Sequence, residues 1–142
     1  MKTEILRIVT RLVGLVELVL GIVFWAGSAK VLVISHIALG TLMTAALFGL
    51  TYLAYRAGAA RSLVLLAAAV GLALPAWGMA QNAILPGASH WIAQVLHLAL
   101  GVGAIGVAEI LAVQIRRKST PSARPVMLTR LEPALVVIET NK

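Results

Sequence analysis

Two histidines stand in the same local setting. His36 opens the run His36-Ile37-Ala38-Leu39-Gly40, and His97 opens His97-Leu98-Ala99-Leu100-Gly101, so both read His-x-Ala-Leu-Gly. The chain has 3 histidines in all, and each of these two is followed 20 positions later by an arginine, Arg56 and Arg117. A neutral imidazole is a good ligand for iron and other transition metals, and it relays protons near neutral pH. Two carboxylates, Glu17 and Glu109, also interrupt otherwise apolar stretches. An ionisable group in such a setting is a candidate for carrying protons, binding a quinol or holding a cationic substrate. The chain has no cysteine, which excludes disulfides and thiolate metal sites.

The elements that must position these residues follow from composition. Of the 142 residues, 61% are hydrophobic and 12% charged. A soluble domain carries about 25% charged residues, so this chain lacks the polar surface to cover itself in water. Four segments have the roughly 20 apolar residues needed to cross a bilayer, at 6–26, 31–55, 62–79 and 91–115. Turn signals separate them at Gly27-Ser28, at Ala57-Gly58-Ala59 and at Leu85-Pro86-Gly87, with Ser89 as a candidate cap for the fourth helix. Pro75 inside the third segment predicts a kink that a bundle can absorb. The expected architecture is all-α: one transmembrane domain over 1–115, an up-down four-helix bundle, followed by a basic tail over 116–142. Residues 133–140 are apolar enough to dock but too short to span.

Charge sets the orientation. Lys2, Arg7 and Arg11 precede or enter the first segment, Arg56 and Arg61 flank the middle turn, and Arg116, Arg117 and Lys118 follow the fourth; the opposite side has only Lys30. The excess of Lys and Arg on cytoplasmic loops places both termini in the cytoplasm of a multi-pass inner-membrane protein. Trp25, Trp77 and Trp91 then fall at the outer interface, which indoles favour. The net charge of +7 is thereby a matter of topology. It does not form the basic face that nucleic acid would require. The first 29 residues also fit a secretory signal, with Gly27-Ser28-Ala29 as a cleavage site, but the apolar run is longer than such signals carry, and it reads as an uncleaved first helix.

In this bundle the second and fourth helices run parallel. Twenty residues of helix span about 30 Å, a whole hydrocarbon thickness, so both histidines are expected near the outer edge of the core at similar depth. They can face one another across the interior, where bundles hold cofactors between side chains of facing helices. Gly40 and Gly101, one turn after each histidine on the same face, are expected to leave open space for a flat macrocycle. Gln94 and His90 continue the His97 stripe outward and, with Lys30, are candidates to fix an imidazole or meet propionates.

These residues resemble the small b-type membrane cytochromes, which hold haem b between histidines on transmembrane helices, often with a glycine four residues after a ligand. The resemblance covers two helices. It implies that His36 and His97 are the axial ligands of a single haem, and that electrons pass to a quinol or a periplasmic partner. A chlorophyll-type macrocycle would use the same donors.

Other readings stay open. The pair could bind no cofactor and serve helix packing, with the chain an accessory subunit of a larger membrane complex or a homo-oligomer. Glu17 on a first short helix, in Glu17-Leu18-Val19-Leu20-Gly21, resembles the small multidrug exporters, where one glutamate binds protons and cations in turn. The segment from Gly21 to Lys30 resembles the first-helix end of the DoxX-like membrane family, which implies a redox-linked setting. Glu109 paired with Arg11 would be structural. Gly101, Gly103 and Gly106 spell a dinucleotide fingerprint, but without a preceding strand they read as helix packing. Met43, Met79 and Trp77 read as packing or interfacial residues.

Overall fold

The computed structural model describes residues 1–27 and 30–119, with the side chain of Lys30 not described. Four helices follow one another: α1 (Lys2–Trp25), α2 (Val33–Arg56), α3 (Arg61–Ala80) and α4 (His90–Ser119). Short 3₁₀ turns, Lys30–Leu32 and Gly87–Ser89, lead into α2 and α4. Ser89 thus closes a turn that runs straight into α4. Each helix is long and apolar enough to cross a membrane, with mean hydropathy between 1.8 and 2.1 over its most apolar stretch. The molecule is an all-α four-helix membrane bundle, and among the described residues there is no strand.

The bundle has two ends. The tail end carries the start of α1, the α2–α3 turn and the end of α4. The far end carries the α1–α2 and α3–α4 connections. Gly27 after α1 and Gly58 after α2 take φ of 76° and 71°. A side chain strains that left-handed conformation, which commonly closes a helix.

Successive helices pack as neighbours, α4 closes against α1, and α2 and α4 also touch across the diagonal. The core lies towards the tail end, where Met43, Leu47 and Leu50 of α2 meet Leu111 and Ile115 of α4 and Leu74 of α3. Small residues admit larger ones between helices. Atoms of Ile105 lie 2.7 Å from where a Cβ on Gly14 would stand, and Phe48 and Leu6 lie 3.0 Å from the same position on Gly71 and Gly49. With no hydrophobic force between helices in lipid, such close approach supplies the dispersion contact that holds them. Outward residues are as apolar as the core; Ile34 is 80% exposed and Leu65 69%. That surface suits lipid contact.

α3 runs through Pro75 as a single helix. One boundary differs from expectation. α4 continues past residue 115 to Ser119, taking Arg116, Arg117 and Lys118 into its last turn. Cations there face the negative end of the helix dipole, which favours helix over a loose tail start. The remainder of the tail, including 133–140, lies outside the described residues.

Candidate functional site

His36 is the fourth residue of α2, so it sits one turn inside the far end. His97 enters from α4. Their rings meet across the α2–α4 diagonal with centroids 6.2 Å apart and planes at 70°. The parallel run of the two helices, anticipated from the repeat, brings the pair together.

A third group joins them. Glu17 of α1 pairs through Oε2 with Nδ1 of His36. The contact is an ion pair when the imidazole is protonated, and Nδ1 makes no hydrogen bond to the carboxylate. Gly40, one turn after His36, lets the carboxylate in: Glu17 Oε2 lies 3.8 Å from where its Cβ would be. The other carboxylate oxygen, Oε1, is buried and has no hydrogen-bond partner, and neither does Nδ1 of either histidine. Thr44 Oγ1, two turns further along α2 from His36, is unpartnered in the same way. Buried polar atoms without partners are costly, and those of Glu17, His36 and His97 make this cluster the candidate site.

Two further side chains shape the cluster. Phe24 of α1 meets the ring of His36 edge-on at 5.3 Å. Gly78 of α3 admits His97, whose Cε1 lies 3.2 Å from the Cβ position of that glycine. All four helices therefore contribute at this end. Neither Gly78 nor Phe24 stands out in the sequence. The Glu17–His36 pairing does have a sequence signal: Gly14, Glu17 and Gly21 recur at helical spacing on one face of α1, a small-polar-small stripe turned towards neighbouring helices.

The remaining candidates fall elsewhere. Gly101 stands on α4 with Leu18 Cδ2 at 4.0 Å from its Cβ position, so an ordinary apolar contact fills the space expected there to be open. Among the described residues no hydrogen bond joins His90 or Gln94 to His97, and the side chain of Lys30 lies outside them. Glu109 is at the tail end, where Arg7 Nε and Arg11 Nη2 reach its two oxygens at 2.9 and 2.8 Å. Glu4 extends the cluster to Arg7 and Arg116, each at 3.0 Å. The expected partner Arg11 is thus in place, together with Arg7. Gly101, Gly103 and Gly106 all lie within α4, away from any strand–loop–helix turn. Met43 is core, Met79 faces outward, and Trp77 donates from Nε1 to the Ala93 carbonyl at 2.9 Å, tying α3 to α4.

Among the described residues no group of three or more His, Asp or Glu side chains is arranged to hold a bare metal ion. A haem brings four donors of its own and needs only two from the protein. Two imidazoles brought together from separate helices are the donor set that group takes, while the spaces at Gly40 and Gly101 are occupied by Glu17 and Leu18.

Comparison with protein-family models, with curated proteins and with solved structures yields no match.

Proposed function

We propose that this chain is a membrane electron carrier that binds one haem b between His36 and His97, near the outer side of a bacterial-type inner membrane. The observation that carries the reading is the approach of the two rings to 6.2 Å between centroids. A metal–imidazole bond of about 2 Å on each side, plus the half-width of each ring, comes to roughly 6 Å. Haem iron with two imidazole ligands supplies reversible one-electron transfer. The chain contributes the donors and their surroundings. His36 and His97 present nitrogens from rigid helices, Gly78 leaves room for the second ring, and Phe24 limits rotation of the first. The basic residues of 2–11, 56–61 and 116–118 gather towards the tail end, which supports a cytoplasmic tail end and an outward-facing histidine site. From there the redox partner is a quinol or a periplasmic protein. The apolar helix faces leave room for a second copy or a larger complex.

The test is an absorption spectrum of the purified protein in mild detergent, oxidised and then reduced with dithionite. The expected result is a Soret band with a sharp reduced α band, the α band being lost in either His36→Ala or His97→Ala. A strong red band would instead indicate a chlorophyll-type macrocycle. Protein that stays colourless when haem is supplied refutes the reading.

A second reading rests on Glu17 Oε1, buried and unpartnered. A carboxylate so placed can exchange a proton for a cation, as a small exporter of cationic substrates requires. In proteoliposomes that function would be abolished by Glu17→Gln and would survive His36→Ala. An electron carrier shows the reverse order of sensitivity.

A further inference from the structure

The closing turns of α4 carry a feature that the histidine site does not use. Glu109, Ile110, Val113, Gln114 and Arg117 line an outward groove of about 310 Å³. Its walls change along its length. Ile110 and Val113 are apolar, and Ile110 is exposed. Nearer the tail end stand the Gln114 amide and the Arg117 guanidinium. Among the described residues neither has a hydrogen-bond or ion-pair partner.

Charge at this groove is one-sided. The Glu109 carboxylate borders it, but both oxygens are taken, by Arg7 and Arg11. The cluster behind the groove sets three guanidinium groups, of Arg7, Arg11 and Arg116, against two carboxylates, of Glu4 and Glu109. Arg117 and Lys118 add to that excess, and Glu17, the remaining carboxylate among the described residues, lies at the far end. Arg117 follows Glu109 by 8 positions, about 12 Å of helix. The groove therefore runs from the rim of the bilayer towards its interior. Arg11, at the level of Glu109, keeps 48% of its side chain exposed. A cation exposed at that depth is costly unless an anion comes within reach.

We infer that this groove holds an anionic phospholipid of the tail-end leaflet, with its phosphate on Arg117 and Gln114 and the start of an acyl chain along Val113 and Ile110. A guanidinium takes phosphate oxygens in paired hydrogen bonds, and the amide donates another. A chain that begins at the phosphate enters the groove in the direction in which its walls turn apolar. A soluble anion would leave that apolar stretch unused. In the proposed orientation this end meets the cytoplasmic leaflet, whose anionic lipids supply the ligand. The site lies at the opposite end from the histidines and does not depend on haem.

Native mass spectrometry tests this on protein released from mixed micelles that offer equal amounts of phosphatidylglycerol and phosphatidylcholine. The parent is expected to retain one phosphatidylglycerol in preference to phosphatidylcholine by about fivefold or more, the effect of one cation beside an anionic lipid. Among variants matched to the parent in helicity, Arg117→Gln should abolish most of that preference, and Arg117→Lys should keep most of it. Arg61→Gln removes a cation from the same end of the bundle, on the α2–α3 turn, and should leave the preference unchanged.

A parent that retains the two lipids equally overturns the inference. Equal effects of Arg117→Gln and Arg61→Gln would reduce it to the diffuse charge of a basic surface, and overturn it as a site. Displacement of the lipid by glycerol phosphate as readily as by phosphatidylglycerol would show that the apolar wall binds nothing, and overturn the phospholipid as the ligand.

Discussion

The bundle holds two polar clusters, and they are built on opposite principles. At the tail end Glu4, Arg7, Arg11, Glu109 and Arg116 interlock, with both oxygens of both carboxylates engaged by guanidinium groups. That cluster ties the start of α1 to the end of α4. At the far end Glu17, His36 and His97 draw on three helices with a glycine from the fourth, yet one carboxylate oxygen and Nδ1 of both rings are left without hydrogen-bond partners. The first cluster is complete as it stands. The second leaves polar atoms that a proton, a cation or a metal centre could satisfy. A membrane protein has every reason to satisfy its buried polar groups, so the contrast separates what holds the bundle from what the bundle holds.

Substitutions can break this contrast. The largest effect is expected at the tail end, where Glu109→Ala leaves Arg7 and Arg11 facing each other without their shared carboxylate. Removing one partner of a buried pair costs about 3–5 kcal/mol. Partial exposure of Arg11 reduces this to about 2–3 kcal/mol, which denaturant unfolding in mixed micelles would measure, with the far-end histidine spectra unchanged. A comparable loss there and in Glu17→Gln would erase the distinction between the clusters.

Gly14→Ala should come next. Its new methyl would stand 2.7 Å from Ile105, and overpacking of this kind costs about 1–3 kcal/mol. It tests the α1–α4 seam that joins the two clusters, and thermal melting reads it out. Gly78→Ala brings a methyl to 3.2 Å from Cε1 of His97. The ring gives way at a cost of about 1 kcal/mol or less, but the His97 ring resonances should shift while those of His36 hold still. Smallest of all is Glu17→Gln, which removes a partly unsatisfied carboxylate. Stability should change by no more than about 0.5 kcal/mol, in contrast to Glu109→Ala, and any functional loss would then be chemical.

Much of this was legible in the sequence. Four apolar runs with breakers between them yield four helices because the bilayer allows few other solutions for a backbone. The repeated His-x-Ala-Leu-Gly anticipates two rings on parallel helices, and they meet. The boundary past residue 115 was harder, since Arg116 to Ser119 read as tail when composition alone is weighed, and as helix once the dipole is. The pairing of Glu17 with His36 was not anticipated. It depends on the vertical register of α1 against α2, which the connection after Trp25 sets and which hydropathy does not encode. Gly78 is invisible in the sequence because its role is a missing side chain. Gly101 shows the converse: a glycine at the right spacing whose space Leu18 occupies.

The shallow position of His36, one turn inside the far end of α2, bears on energetics of another kind. Moving one elementary charge through the whole membrane against 100 mV involves about 2.3 kcal/mol. A charge that arrives at this site and departs by the same end crosses only a thin slice of that voltage drop. In the proposed orientation its exchange would run at nearly the same driving force in an energised cell as in a depolarised one.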